Sequence, residues 1–237
     1  MLLQVDNLHI SYKEVEAVHG VSFSIEKGEL ISIIGANGAG KTSILNSIMG
    51  IVPAKEDSRI IYKGEDISHL PAHLRSRLGI KIVPERARLF PLLSVYDNLM
   101  TGLYGMRGKI DKNEKLRWLY SFFPVLEERE NQLARTLSGG EQQQLAISRA
   151  LISEPELLLV DEISMGLMPI LVEKVFEVLK KLNSEYSLTI LIVEQNALAS
   201  LEISHRAYVL EAGKIVMEGK AASLTEDERI REAYLGI

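Results

Sequence analysis

The chain has 237 residues, 46% of them hydrophobic and 25% charged, which is typical of a globular protein with a sizeable core. It contains no cysteine, which excludes disulfides, thiolate metal sites and a cysteine nucleophile and fits a reducing cytoplasm. The net charge of −5 argues against a nucleic-acid partner. The start MLLQVDNLHISY lacks the features of a signal peptide, and no apolar run approaches the roughly 18 residues of a membrane span, so we expect neither.

The first part of the chain predicts short strands. Residues 8–12 (LHISY) and 21–25 (VSFSI) alternate apolar and polar side chains, which is typical of half-buried antiparallel strands. Residues 59–62 (RIIY) and 80–83 (IKIV) also predict short strands. We therefore expect an antiparallel unit at the N-terminus.

The rest of the chain alternates helices and strands. A polar, helical stretch at roughly 94–152 precedes ELLLVDE, the helix ILVEKVFEVLKKL, the strand LTILIVEQ and the hairpin RAYVLEAGKIVME. Leu30–Ile34, Leu157–Val160 and Ile190–Val193 are continuously apolar, which predicts buried parallel strands covered by helices. The predicted class is α/β, with a mostly parallel sheet and an N-terminal antiparallel subdomain. We expect one domain over 1–237, with a helical subdomain inserted at about 86–152.

The segment GANGAGKT matches the phosphate-loop pattern G-x-x-x-x-G-K-[ST] and predicts a P-loop NTPase core. It follows an apolar strand and opens a helix, a context that a mere glycine-rich turn would not need. Lys41 is expected to reach the β- and γ-phosphates and Thr42 to bind Mg²⁺, while main-chain N–H groups hold the phosphates. The predicted nucleotide-binding residues of this loop are Gly35, Ala36, Asn37, Gly38, Ala39, Gly40, Lys41, Thr42 and Ser43.

Two adjacent carboxylates end the apolar strand LLLVDE. Like charges at the end of a buried strand repel each other and resist desolvation, and a metal ion with an attacking water would resolve the conflict. We predict that Asp161 holds Mg²⁺ and that Glu162 polarises the water. The alternative is a strand that ends in solvated acids, which the nearby phosphate loop disfavours.

A second candidate anion site lies about a hundred residues after the first, in LSGGEQQ. Ser138 and Glu141 have the spacing of a helix capping box, which is the purely structural interpretation. It leaves Gly139 and Gly140 unexplained, because each glycine costs a helix about 1 kcal/mol relative to alanine. Bare backbone at these positions would allow a ligand to approach closely.

The three motifs, in this order and spacing, resemble those of ABC-type ATPase subunits over essentially the whole chain. The resemblance implies ATP and Mg²⁺ as cofactors and two such domains that face each other head to tail. Ser138, Gly139 and Gly140 of one domain would then contact the γ-phosphate of ATP held by the other. Tyr12 matches the aromatic residue that stacks on adenine in this family, although it could instead be a core residue of its strand.

Three positions depart from the family pattern. Glu85, in VPERARLFP, stands where the family usually has a glutamine that contacts Mg²⁺ and water, and we predict a catalytic and metal-binding role for it. Gln195 replaces a histidine that contacts the γ-phosphate, and Met168 replaces a frequent aspartate. The elements VPE…LFP…SVYDNL, VEQN and the terminal AYLG resemble those of one of the two paralogous ATPase subunits of branched-chain amino acid importers.

Several alternatives stay open at this stage. Importers of urea or amides share much of the pattern. ABC-type ATPases that act on DNA carry a long coiled coil, for which about a hundred residues between the motifs is too short. Those that act on ribosomes usually carry two such domains in one chain. A P-loop GTPase would normally show an N-K-x-D segment, which is absent, and neither a GTPase nor a small-molecule kinase would explain LSGGEQQ.

The resemblance implies a cytoplasmic ATP-hydrolysing subunit, peripheral on the inner face of the cell membrane, that powers an importer. Its partners would be transmembrane permease subunits, a second copy or a paralogous ATPase subunit, and, indirectly, a solute-binding protein, with no nucleic acid. The segment RLFPLL is expected to dock a cytoplasmic helix of the permease. Alternatively, its residues Leu89, Phe90 and Leu92 belong to the core.

Overall fold

The computed structural model of this chain describes residues 1–106 and 110–235, which form two β-sheets and a set of helices. The strands are β1 (Leu3–Tyr12), β2 (Val15–Ile25), β3 (Leu30–Ile34), β4 (Arg59–Tyr62), β5 (Glu65–Asp66), β6 (Ile80–Val83), β7 (Leu157–Asp161), β8 (Thr189–Glu194), β9 (Arg206–Glu211) and β10 (Lys214–Lys220). The helices are α1 (Lys41–Met49), α2 (Ala72–Arg77), α3 (Val95–Thr101), α4 (Lys112–Phe122), α5 (Pro124–Glu128), α6 (Gly139–Leu151), α7 (Pro169–Tyr186), α8 (Ala197–Ile203), α9 (Ala221–Glu226) and α10 (Glu228–Ile230). Of the terminal AYLG element, Gly236 lies outside the described residues.

The smaller sheet is antiparallel and has the strand order β2-β1-β4-β5. Leu3 pairs with Ile25 on one side and with Tyr62 on the other, and all three side chains are buried. The alternating pattern of the sequence therefore predicted these strands correctly, although β1 and β2 are longer than expected. Irregular register between Val5 and Leu8 interrupts the pairing of β1 with β2.

The larger sheet has the order β10-β9-β3-β8-β7-β6, and all neighbouring strands are parallel except the pair β9–β10. Strands β3, β7 and β8 are buried along their whole length. Leu30 belongs to the apolar cluster on one side of the sheet and Ile31 to the cluster on the other side. Both faces are therefore covered, which is why these strands are continuously apolar.

Helices α3, α4, α5 and α6 lie between β6 and β7 in the chain. Leu99 of α3, Leu119 of α4, Leu126 of α5 and Leu145 of α6 are buried in the same apolar cluster. This helical content supports the proposal of an inserted helical subdomain at about 86–152. No helix among the described residues is long and apolar enough to cross a membrane.

Helix α1 is fixed at its C-terminal end by the buried side chain of Arg75. The guanidinium donates to the carbonyls of Ser47 and Ile48, at 2.7 and 2.9 Å, and also to those of Leu70 and Ser68. A cation at this end of a helix satisfies carbonyls that have no partner within the helix and interacts favourably with the helix dipole. Helix α1, whose N-terminal end carries the phosphate loop, is thus held in place at its C-terminal end.

Candidate nucleotide-binding and hydrolysis site

The predicted phosphate loop connects β3 to the N-terminus of α1, at the carboxyl edge of the larger sheet. Gly40 has φ 107°, in the region that favours glycine, and a Cβ there would lie 2.8 Å from the carbonyl oxygen of Ala17. At Gly35 a Cβ would lie 2.3 Å from the carbonyl oxygen of Leu210. Both glycines are therefore required by the packing of the loop. The intervening residues Ala36, Asn37 and Gly38 are exposed, which leaves their backbone accessible.

Lys41 is buried inside its own loop. Its Nζ donates to the carbonyl oxygens of Gly35 and Ala36, at 2.8 and 2.9 Å, and forms an ion pair with Glu162 Oε1 at 3.0 Å. The side chains of Lys41 and Glu162 are only 3% and 11% exposed. The structure thus brings the loop lysine and the predicted catalytic carboxylate, which are far apart in the sequence, into direct contact.

Thr42 and Asp161 form the second contact between the two motifs. Thr42 Oγ1 donates to Asp161 Oδ1 at 2.8 Å. Burial raises the pKa of Asp161, the bond from Thr42 opposes this, and the carboxylates of Glu162 and Glu85 raise it further. The carboxylates of Glu162 and Glu85 are therefore close enough to destabilise the charge of Asp161, which a divalent cation would relieve.

The oxygen donors at this point suit Mg²⁺ bound together with phosphates. Asp161 and Thr42 supply oxygen atoms, and Glu85 lies near, paired with its neighbour Arg86 at 3.0 Å. Among the described residues, no three acidic or histidine side chains are grouped so that they could hold a metal alone. Mg²⁺ usually takes only one or two carboxylates and completes its shell with water and substrate phosphates. The donor set therefore fits this ion.

The backbone around the two predicted catalytic carboxylates is unusual. Glu162 has φ 42°, and Arg86, Ala87 and Arg88 have φ 57°, 59° and 40°, all in the left-handed region. Such conformations cost roughly 1–3 kcal/mol for residues other than glycine and persist only where neighbours enforce them. After Glu85, the neighbour is Arg149 of α6, whose guanidinium donates to the carbonyls of Ala87 and Arg88 at 3.1 and 3.0 Å. No pattern in the sequence indicates this contact.

Gln195 follows β8, and its side chain is exposed. Since β8 lies between β3 and β7, Gln195 emerges between the phosphate loop and the Asp161–Glu162 pair. Its neighbour Glu194, which the sequence analysis did not single out, is buried and binds Ser164. The signal that could have revealed it is a charged residue at the end of an otherwise apolar strand. The γ-phosphate contact of Gln195 stays a prediction.

Tyr12 is 46% exposed, so the alternative that it belongs to the core is wrong. Its hydroxyl donates to Ser43 Oγ at 3.1 Å, which places the ring beside the start of α1. An exposed aromatic ring next to a phosphate loop is suitably placed to stack on a base. The stacking itself stays a prediction.

The Ser138 segment forms the expected capping box at the start of α6. Ser138 Oγ accepts from the main-chain N–H of Glu141 at 3.4 Å, and Glu141 Oε2 accepts from that of Ser138 at 2.8 Å. Among the described residues, no atom outside the chain neighbours of Gly139 and the backbone of its own helix lies within 4 Å of a Cβ position on Gly139, whereas a Cβ on Gly140 would lie 2.5 Å from Leu171 Cδ1. A side chain at position 140 would therefore require the Leu171 side chain to move. Gly139 has the open approach expected from the sequence, and contact of Ser138, Gly139 and Gly140 with a partner's nucleotide stays a prediction.

The predicted docking segment RLFPLL is largely exposed. Phe90 is 51% and Leu92 70% exposed, so the core alternative is wrong for these two residues. Leu89 is partly buried against the apolar cluster of the helices. Phe90 lines a groove of about 890 Å³ together with residues of α3 and with Arg149. The segment is thus available to a partner.

A family model described as ABC transporter matches residues 18–164 of this chain. The high-affinity branched-chain amino acid transport ATP-binding protein BraG of Pseudomonas aeruginosa is 43% identical over 235 residues, 99% of this chain and 100% of that protein. The lipopolysaccharide export system ATP-binding protein LptB of Haemophilus influenzae is 35% identical, over 99% and 97% of the two chains. A dimeric, post-hydrolysis ATP-binding cassette bound to ADP and Pi is similar in fold, with TM-score 0.84, 26% identity and coverage of 93% and 99%.

The chain belongs to the ABC transporter family, as a P-loop ATPase subunit that binds and hydrolyses ATP. The resemblance to ATPase subunits of branched-chain amino acid importers is also confirmed. The predicted P-loop NTPase fold is confirmed by the structural similarity.

Proposed function

We propose that this chain powers a membrane importer of branched-chain amino acids. The 43% identity to BraG over nearly the whole length of both chains supports this substrate class. The chain would lie at the cytoplasmic face of the membrane, bound to permease subunits that convert its movement into alternating access. A solute-binding protein would deliver the amino acid to the permease and would contact this chain only indirectly.

The observation that carries the proposed chemistry is the meeting of two distant motifs. Lys41 contacts Glu162, and Thr42 contacts Asp161, although 119 residues separate the latter pair. In this arrangement Lys41 would bind the β- and γ-phosphates and Glu162 would orient the attacking water. Bound at Thr42, Asp161 and Glu85, Mg²⁺ would neutralise phosphate charge. Gln195 would donate to the γ-phosphate, and Tyr12 would stack on adenine.

ATP would be enclosed between two ATPase subunits. Ser138 and Gly139 are exposed, and in the part of the chain that the structure describes no atom beyond the adjoining residues and helix backbone lies within 4 Å of a Cβ on Gly139, which supports the approach of a partner's phosphate to this end of α6. The dimeric state of the similar ATP-binding cassette supports such a pairing. The second subunit would be either another copy of this chain or a paralogous ATPase subunit. ATP binding would draw the two together, and hydrolysis would let them separate.

The RLFPLL segment would dock a cytoplasmic helix of the permease. The exposed side chains of Phe90 and Leu92 and the adjoining groove of about 890 Å³ support this position. The segment begins three residues after Glu85, so a docked helix would lie close to the hydrolysis site.

Purification of the intact complex from its native membrane tests the proposal. We expect permease subunits, together with leucine-, isoleucine- or valine-stimulated ATP hydrolysis in the presence of the binding protein. The 35% identity to LptB makes a lipopolysaccharide exporter the second candidate. Copurification with lipopolysaccharide-binding subunits and the absence of amino-acid stimulation would support that candidate instead.

A further inference from the structure

Glu194, the last residue of β8, has a carboxylate that the proposed chemistry does not use. The residue is only 1% exposed, and burial raises the pKa of its carboxyl group. Its Oε1 accepts from the main-chain N–H of Ser164 at 2.8 Å, and its Oε2 accepts from the Ser164 hydroxyl at 2.7 Å. A third, longer bond comes from the main-chain N–H of Asn196, at 3.5 Å. None of these three donors carries a charge.

A buried carboxylate without a cationic partner is expensive, because removing the charge from water is only partly offset by neutral hydrogen bonds. Repulsion from the nearby Glu162 carboxylate adds to this cost. A neutral side chain at the end of β8 would avoid both penalties. The presence of an acidic side chain here therefore calls for an explanation beyond the completion of a strand.

The partners of Glu194 lie on two of the loops that carry predicted catalytic groups, those of Glu162 and Gln195. Ser164 is two residues after Glu162, in the loop between β7 and α7. Asn196 is the N-cap of α8, with its Oδ1 accepting from Ala199, so Gln195 lies between two anchored residues. The same strand end contacts the phosphate loop, because the carbonyl of Glu194 accepts from the main-chain N–H of Gly35 at 3.3 Å.

We propose that Glu194 is a positioning residue, whose carboxylate joins the Glu162 loop to the Gln195 loop so that both side chains face one phosphate. Glu162 has a left-handed backbone, with φ 42°, and its N–H is held by the carbonyl of Val193, the residue before Glu194. The hydrogen bonds from Ser164 to the Glu194 carboxylate hold the chain on the C-terminal side of Glu162. This inference rests on the proposed roles of Glu162 and Gln195.

Two variants of the full chain test the link from opposite sides. Ser164→Ala removes one donor and leaves the carboxylate in place, while Glu194→Gln removes the charge at constant size. With MgATP we expect kcat to fall by about 10- to 100-fold for each, since small displacements of reacting groups have effects of this size. The KM for ATP should change by less than about threefold, because the phosphate loop is intact. Ser164→Thr, which keeps the hydroxyl, should restore most of the rate.

Asn183→Ala is the matched control for a purely structural effect. Asn183 is also buried and donates to two main-chain carbonyls, of Gly28 and Leu188, both at 2.8 Å. These residues adjoin the amino ends of β3 and β8, at the opposite edge of the sheet. This variant should lower the melting temperature without changing kcat per folded molecule.

The inference is overturned if Ser164→Ala and Glu194→Gln keep kcat within about twofold of the wild type, or lose it only in proportion to unfolded protein. If Glu194→Gln does not fold, Ser164→Ala alone decides by the same criterion. Glu162→Gln distinguishes a failure of the positioning role of Glu194 from a failure of the proposed chemistry. An inactive Glu162→Gln with fully active Ser164→Ala refutes the positioning role alone, whereas an active Glu162→Gln refutes the proposed chemistry itself.

Discussion

Replacing Glu162 by glutamine should separate the chemical step from ATP binding. Glu162→Gln keeps the size of the side chain and an oxygen acceptor but removes the negative charge. Loss of a positioned general base costs about 10²- to 10⁴-fold in rate, or about 3–5 kcal/mol of activation free energy. We therefore expect the steady-state release of phosphate from MgATP to fall by that factor.

The contact with Lys41 predicts the effect on binding. Glu162 Oε1 lies 3.0 Å from Lys41 Nζ, so a phosphate that binds Lys41 must compete with this carboxylate. Hydrogen bonds to charged groups contribute about 1.5–3 kcal/mol, and the amide replaces only part of that. The affinity for ATP, measured by calorimetry, should therefore stay equal or rise by up to about tenfold. A nucleotide-bound dimer should accumulate and be visible by size-exclusion chromatography.

The control is Glu173→Gln, which removes an equal charge from an exposed position on α7. It should leave both hydrolysis and binding unchanged. Near-normal hydrolysis by Glu162→Gln would refute the assignment of the base. Lost hydrolysis together with weakened ATP binding would show that Glu162 holds the nucleotide instead of activating water.

Three other positions, Gly139, Tyr12 and Gln195, give further predictions. Gly139→Asp fits the open space at the start of α6 without displacing Leu171, and it should preserve ATP binding by the monomer while blocking dimer formation and turnover. Tyr12→Ala should lose about 1–3 kcal/mol of ATP binding, whereas Tyr12→Phe, which keeps the ring face, should bind like the wild type. Gln195→Ala should lose about 10²-fold in turnover with most of its ATP affinity retained. Gln195→His should stay active and gain pH dependence between about pH 6 and 7, where histidine titrates.

Each of these has a result that contradicts it. If Gly139→Asp weakened ATP binding by the monomer as much as Lys41→Ala does, the segment would act on the ATP of its own chain. If Tyr12→Ala bound ATP as tightly as the wild type and Tyr12→Phe do, the proposed stacking on adenine would be refuted. An unchanged rate in Gln195→Ala would mean that the residue only ends a strand and faces water.

The sequence by itself determined the features that depend on neighbouring residues. The phosphate loop, the strand LLLVDE and the capping box at Ser138 are local patterns, because their geometry is set by residues within a few positions. The two kinds of strand were likewise predictable, since alternating and continuous apolar patterns report directly on one or two buried faces.

Only the tertiary structure decided which of these local patterns meet. Thr42 reaches Asp161 because β8 alone separates β3 from β7 in the sheet, and strand order is not encoded in any short segment. The same applies to the proximity of Gly140 to the Leu171 side chain and to Glu194, whose partner Ser164 is 30 residues away. Contacts of this kind depend on the packing of whole elements, and therefore no local pattern could reveal them.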